Sequence, residues 1–243
     1  MGGLPPANEY FRLIGTFAMS IPVFVSSAQA AYIAELTERD MNRVFDEHLV
    51  PDQLVRTDPG RRFARLAAAF ARFYFATDGI FAAGLRRSVV AELTKLVIAR
   101  GGRDRVLALQ AELPKSAWMV KVSHGQAVDV APFVESAMLR ARTVDRAEAV
   151  VETSDDVMDG APVFKGTRVP LDVVTASLAK GIPFKRVRAS YEFLTPELAE
   201  AAKVYELVHP RRGRRRSIAE VHPDWVVSQR RVVRPPRVPT SDV

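Results

Sequence analysis

The sequence predicts a mainly α protein with short β-hairpins, built from two helix-turn-helix-type modules of which the first is winged. Three observations carry this prediction. Apolar residues recur at helical spacing along much of the chain, short Gly-containing or alternating stretches separate these segments, and two pairs of short helices are joined by tight connections. The 243 residues, 48% hydrophobic and 26% charged, have the composition of a folded protein.

The first pair of helices is predicted from caps and spacing. In SSAQAAYIAEL, Ser26 or Ser27 is suited to cap a helix. Thr37 is placed to cap the following stretch, ERDMNRVFDEHLV, in which Met41 and Val44 recur at helical spacing. Two short helices with a tight connection indicate a helix-turn-helix.

The stretch VPDQLVRTDPGRRFARL follows and has the pattern of a wing. It consists of a short strand, a Thr-Asp-Pro-Gly turn and a second short strand. Two apolar helices are then expected over about 65–76 and 80–100. We assign residues 19–105 to this winged module and residues 1–18 to an N-terminal extension, because Met19 offers an alternative start.

The second module is predicted over residues 106–208, with a boundary near 101–114. AWMVKV and QAVDV alternate with a period of two and predict a hairpin, and a helix is expected over about 131–147. Extended pieces around Lys165 and Gly166 come next, and three helices follow. The last two of these helices form the second helix-turn-helix.

Positively charged and amide side chains of the first module are candidates for DNA recognition. The N-terminal half of the second helix of a helix-turn-helix lies in the major groove, where Arg pairs with guanine and Asn with adenine. Arginines on a wing contact phosphates and set the register. The alternative is that these are ordinary surface residues of a helical domain. The predicted DNA-binding residues are Arg39, Asn42, Arg43, Arg56, Arg61 and Arg62.

The stretch GAPVFKGTRVPLDVV, residues 160–174, resembles the Pro-Val-x-x-Gly-Thr-Arg-Val/Ile-Pro signature of a small bacterial domain family. That family is read as the antitoxin of VapBC-like toxin–antitoxin pairs, and the resemblance covers about residues 148–208. The stretch SSAQAAYIAELTERDMNRVFDEHLV is similar to the MerR-like winged helix that precedes this domain in longer members. The resemblance implies an operator-binding autoregulator that neutralises a PIN-like ribonuclease encoded beside it.

The C-terminal segment, residues 209–243, contains nine arginines and three acidic residues. Apolar residues between its basic clusters suit a segment that becomes ordered on a partner. The resemblance implies that an arginine from it enters the metal site of the ribonuclease toxin; the alternative is a tail that scans DNA without specificity. The predicted toxin-binding residues are Arg211, Arg212, Arg214, Arg215, Arg216, Trp225, Arg230 and Arg231.

Other classes of site find little support in the sequence. A nucleotide-binding P-loop is excluded because Lys165 precedes its glycine. The four histidines are scattered and there is no cysteine, so we expect neither a metal site nor a cofactor. No paired nucleophile and base is recognisable, and we expect no catalytic residue and no enzyme activity.

The compartment is expected to be the cytoplasm. The chain has no cysteine and no apolar run of about 18 residues that would span a membrane. Residues 13–30 end in Ala-Gln-Ala, as a signal peptide does, but Arg12 is offset by Glu9 and cleavage would cut the first predicted helix.

The last predicted helix carries Glu197, Glu200 and Glu206 against Lys203 alone. Because acidic side chains repel phosphate, we expect the first module to bind DNA and the second to serve association. A homodimer is expected because operators of the resembled family are expected to be palindromic. The alternatives are a stand-alone winged-helix transcription regulator without a toxin, an adaptor that does not bind DNA, and an RNA binder.

Overall fold

The computed structural model describes residues 22–123, 125–154 and 160–210. The helices are α1 Ser27–Ala34, α2 Glu38–Asp46, α3 Arg65–Ala76, α4 Ala83–Ile98, α5 Arg103–Leu107, α6 Ala131–Ala149, α7 Leu171–Ala179, α8 Phe184–Ser190 and α9 Pro196–Val208. The strands are β1 Phe24–Ser26, β2 Val55–Arg56, β3 Arg62–Ala64, β4 Met119–Ser123, β5 Gln126–Asp129, β6 Val151–Glu152 and β7 Val163–Phe164. The predicted fold class, mainly α with short β-hairpins, is confirmed.

A three-stranded antiparallel sheet in the order β1-β3-β2 accompanies the first two helices. Phe63 in the central strand pairs with Val25 on one side and Val55 on the other, and its side chain is fully buried. Strand β1 was not predicted from the sequence. It forms because the β-favouring residues of PVFVS immediately precede the serine that starts α1.

Two capping boxes start helices α1 and α2. The Ser26 hydroxyl accepts a hydrogen bond from the Gln29 N–H, and the Gln29 side chain accepts one from the Ser26 N–H. Thr37 and Asp40 form the same reciprocal arrangement. Between the helices Glu35 adopts a left-handed conformation, φ 54°, and its N–H donates back to α1. The chain thus turns within three residues, as a helix-turn-helix requires.

The first hydrophobic core is centred on α3, whose alanines allow α1 and α6 to pack closely. This core continues past residue 105, since Val106, Leu109, Trp118 and Val128 all belong to it. The predicted division between residues 105 and 106 therefore does not coincide with a break in the core. Helix α5, which lies there, was not anticipated in the sequence.

A second core lies between β7, α7, α8 and α9 and includes Phe164, Leu171 and Leu194. Helix α9 takes part in both cores: Leu198 and Ala202 belong to the second, and Val208 to the first. None of the helices in the described ranges is long and apolar enough to cross a membrane.

Candidate nucleic-acid interface

Helix α2 presents its polar face outward because its apolar residues lie on the opposite side. Met41 and Val44 are fully buried, whereas Arg39 and Arg43 are exposed and Asn42 is half-buried. The three residues predicted to read bases therefore lie along α2 as the spacing required. The Arg39 side chain makes no hydrogen bond or ion pair with another described residue.

Arg43 is engaged within the protein. Its Nε lies 3.0 Å from Oε1 of Glu47, one turn further along, and its guanidinium carbon lies 5.3 Å from the centre of the Phe75 ring. The hydrogen bond that Arg43 donates to Glu47, with the charge of that carboxylate, raises the pKa of Arg43 above its ordinary value. Binding a base edge would require Arg43 to leave Glu47, whereas Arg39 is available as it stands.

The wing is formed by β2 and β3, joined through Gly60, which adopts a positive φ of 72°. Arg56 and Arg62 are direct partners in the ladder. The guanidinium of Arg56 lies 3.9 Å from the centre of the Phe24 ring of β1, a cation–π contact that fixes its direction. The two wing arginines thus lie side by side on the sheet.

Arg61 is tied to α2 rather than extended toward solvent. Its two terminal nitrogens lie 3.1 and 2.7 Å from the Asp46 carboxylate, and its guanidinium carbon lies 5.0 Å from the Phe45 ring centre. Wing and recognition helix are connected by this pair. Arg61 therefore positions the wing in the free protein, a role that the sequence did not indicate.

The charge of this face is balanced. Between residues 37 and 62 the chain carries five arginines and six carboxylates. Two of the carboxylates, Asp46 and Glu47, hold Arg61 and Arg43. Attraction to a phosphate backbone from this segment depends on which arginines are free and not on a net positive field.

The turn between α1 and α2 is held by two arginines from distant parts of the chain. Arg140 of α6 donates to the Tyr32 carbonyl at 2.6 Å and to Glu35 Oε1 at 3.1 Å, with its guanidinium 4.3 Å from the Tyr32 ring centre. Arg72 of α3 donates to the Glu35 carbonyl at 3.3 Å. Both arginines therefore help to fix the angle between α1 and α2. Nothing local in the sequence marks them, because their contacts span 105 and 37 residues.

The loop from Pro162 to Pro170 explains the residue types of the signature stretch. Gly166 has φ 73°, where a side chain would be strained, and its N–H donates to Glu152. The Thr167 hydroxyl donates to the Phe164 carbonyl at 2.8 Å and accepts from the Val169 N–H at 3.1 Å. These bonds close a tight loop on the second core. The glycine and threonine of the signature thus have a structural function.

The second helix pair differs from the first in its charge. Thr195 caps α9, and the N–H of Glu197 together with the Thr195 hydroxyl lowers the pKa of Glu197. A carboxylate therefore stays ionised at the helix N-terminus where a phosphate would otherwise bind. On the same helix Ala199 and Ala202 are buried, whereas Leu207 is exposed.

The N-terminal extension, residues 1–18, and the eight predicted toxin-binding residues lie outside the described residues. Among the described residues no group of three or more His, Cys, Asp or Glu side chains is placed to hold a metal ion.

Residues 151–205 match the family model described as "Protein of unknown function (DUF433)". This range contains the signature stretch, helices α7 and α8 and most of α9. Over 220 residues the chain is 32% identical to a protein of Sinorhizobium fredii named "Uncharacterized protein y4eO", covering 88% of this chain and 95% of that protein. The chain belongs to the y4eO family. No solved structure matches it.

The family match extends over the winged module as well as the DUF433 domain, because 88% of this chain is covered. The similarity to y4eO is therefore not confined to the DUF433 domain. DUF433 accounts for the second core, from β6 to within α9.

Proposed function

We propose that this protein is the antitoxin of a type II, VapBC-like toxin–antitoxin system. It neutralises a PIN-like ribonuclease toxin by direct binding and represses its own operon by binding operator DNA as a homodimer in the cytoplasm. The observation that supports the DNA-binding part is the geometry of the first module, a pair of short helices joined by a tight turn with a two-stranded wing in the adjacent sheet. Helix α2, which is capped and carries the exposed Arg39, follows a three-residue turn. The wing that follows it consists of β2 and β3, which belong to the three-stranded sheet.

The DNA-reading role is assigned to α2 and the supporting role to the wing. Arg39 and Asn42 are placed to contact base edges, and Arg56 and Arg62 to contact phosphates. Arg43 and Arg61 join them only after release from Glu47 and Asp46. The acidic N-terminus of α9 supports leaving the second module out of the DNA contact.

The toxin-binding role is assigned to the basic segment that follows Pro210. Its nine arginines suit the clustered carboxylates of a metal-dependent ribonuclease site. The signature stretch within the DUF433 match supports this assignment through the family resemblance.

Co-purification with the product of the adjacent open reading frame tests the toxin-binding part. The full chain is compared with a chain ending at Pro210, so that His209 keeps its 3.2 Å contact with Glu148 and α9 stays intact. We expect tail-dependent association and loss of metal-dependent ribonuclease activity in the complex. Equal association of the shortened chain would contradict the assignment of the tail. No association at all, with a folded neighbour, favours a stand-alone winged-helix regulator.

DNA binding is tested by replacing Arg39, Asn42 and Arg43 with Ala and measuring affinity for the operon's upstream region and for random DNA. We expect operator preference to disappear. A loss of about tenfold to hundredfold in specific affinity corresponds to one or two bidentate base contacts. Unchanged discrimination between the two DNAs would refute the assignment of α2, and binding without salt dependence would argue against phosphate contacts.

A further inference from the structure

A groove of about 470 Å³ lies between helix α4 and strand β4, and none of the residues assigned to DNA lines it. Leu96 and Met119 line it and are 42% and 46% exposed, respectively. Val122 lies beside them, half-buried. Large apolar side chains that are exposed next to one another are typical of a surface that binds another protein.

Helix α4 carries apolar residues on two sides. Val90, Leu93 and Val97 bury one side in the first core. Leu85 and Leu96 also line the groove. Leu85 packs against the first core, whereas Leu96 does not and is 42% exposed. Leu96 is therefore an apolar residue that the helix does not need for its own packing.

The hairpin β4–β5 forms the other wall of the groove. It is a two-stranded sheet, and neither strand has a further neighbour among the described residues. A two-stranded sheet leaves backbone donors and acceptors unpaired along its edges, and such edges readily accept another chain.

We propose that a second copy of this chain occupies the groove, related to the first by a two-fold axis. The charged residues of the groove favour a second copy over another partner. Glu92 and Lys121 both line the groove and are both exposed, yet they form no ion pair with each other. In a two-fold contact, when residue i of one copy meets residue j of the other, residue j of the first copy also meets residue i of the second. Lys121 of each copy therefore faces Glu92 of the other, and the ion pair forms twice.

The charges are available for this contact. Glu92 lies 4.0 Å from Lys95, an exposed contact between residues three apart that is worth little in water. The Lys121 side chain makes no hydrogen bond or ion pair with a described residue. A purely basic or acidic partner would leave one of the two groove charges opposed by a like charge.

The extent of the groove indicates a modest affinity. Nine residues line it, whereas a standard interface contributes about 20–30 residues from each partner. The contact therefore includes neighbouring exposed residues of α4 and the hairpin. We expect a dissociation constant on the order of micromolar, typical of the smaller interfaces.

This association needs neither DNA nor a toxin, so it is measured on the full chain alone by sedimentation velocity over a range of concentrations. It locates the homodimer contact of the proposed function, but its outcome is independent of whether the protein binds an operator. We expect a monomer–dimer equilibrium in the wild type. Leu96→Asp should weaken it at least tenfold, whereas Leu139→Asp, at a more exposed leucine of α6, should not.

A charge exchange makes the test specific to the two-fold geometry. Lys121→Glu and Glu92→Lys place like charges opposite each other, and each variant alone should dimerise at least tenfold more weakly. Mixed one to one, the two variants should associate with each other, since each Glu then faces a Lys. Misfolded chains cannot produce this regain of association.

Three results would overturn the proposal. They are a wild-type chain that stays monomeric to about 100 μM, some hundred times the expected dissociation constant, dimerisation unaffected by Leu96→Asp, and single-charge variants whose mixture does not regain association. Association equal in Leu96→Asp and Leu139→Asp would place the dimer contact on another face.

Discussion

Arg65 and Asp145 are 80 residues apart in sequence and form a buried ion pair, with 2.6 Å between Nη2 and Oδ1. The Arg65 side chain is fully buried at the start of α3, and Asp145 keeps 22% of its side-chain surface exposed. Nε and Nη1 of Arg65 make no hydrogen bond with any described residue. The charge of Arg65 inside the first core thus depends on one carboxylate of α6.

Removing this carboxylate should destabilise the protein strongly. Asp145→Ala leaves a buried guanidinium without its counter-charge, and we expect the free energy of unfolding to fall by about 3 kcal/mol, the lower part of the range for buried pairs, because Asp145 is partly exposed. Urea unfolding measures the change.

Two further variants separate the ion pair from the helix surface. Arg146→Ala, at the neighbouring exposed position, should change stability by no more than about 0.5 kcal/mol. Arg65→Met combined with Asp145→Ala should recover much of the loss, because an apolar side chain needs no counter-charge. A double variant as unstable as Asp145→Ala alone would show that packing and not charge is responsible.

Releasing Arg43 from Glu47 should strengthen DNA binding. Glu47→Gln removes the carboxylate that holds the guanidinium 3.0 Å away and frees Arg43 for DNA. A base contact raises the affinity at every salt concentration, whereas a phosphate contact also steepens the dependence of log affinity on log salt by about 0.9. Affinity measured between 50 and 200 mM salt tests this expectation. Asp46→Asn should act in the same way through Arg61.

Asp52→Asn is the matched control for this release, because it removes one negative charge from the same face without freeing an arginine; its carboxylate contacts His48. If all three variants raise the affinity equally, the change in net charge explains the effect and the release of particular arginines does not.

The helices and hairpins of this protein were predictable where the signal is local. Thr37 caps a helix in the structure as its position before an apolar periodic stretch indicated, and Ser26 is the cap of the two serines that the sequence offered for α1. The hairpin of β4 and β5 followed from strict alternation. Of the candidate site, the exposed positions of Arg39 and Arg43 on α2 also followed from helical spacing.

The missed features depend on contacts between distant residues. The burial of Arg65, fully inside the core, has no counterpart in local composition, since arginine is ordinarily a surface residue. The ion pair between Asp46 and Arg61 depends on the wing folding back onto α2. The participation of Val106 and Trp118 in the first core required knowing that α6 packs on α3.

The capping box of α2 should make stability depend on pH. The hydrogen bond from the Thr37 hydroxyl lowers the pKa of Asp40, with smaller contributions from the Thr37 N–H and from Arg43. A carboxyl whose pKa is lower in the folded state stabilises the fold above its unfolded pKa of about 3.9. That contribution is lost as the pH falls through the folded value.

Asp40→Asn should therefore lower the free energy of unfolding near neutral pH, and its difference from the wild type should shrink toward pH 3. Unfolding by urea at several pH values measures both curves. Glu38→Gln is the control, since Glu38 lies in the same first turn and makes no hydrogen bond to the cap. A difference between Asp40→Asn and wild type that is constant with pH would exclude the ionised carboxylate as the stabilising species.

Helix α9 should transmit stability between the two cores, because it contributes Leu198 to the second and Val208 to the first. Leu198→Ala leaves a cavity costing about 2–3 kcal/mol, and we expect the first core to unfold at lower urea as well. Trp118, 4% exposed in the first core, reports this by fluorescence when Trp225, the second tryptophan, is replaced by Phe. Leu207 is 65% exposed on the same helix. Leu207→Ala should therefore leave the free energy of unfolding within about 0.5 kcal/mol of that of the parent. A Trp118 transition unmoved by Leu198→Ala would show that the second core unfolds separately from the first, despite the helix they share.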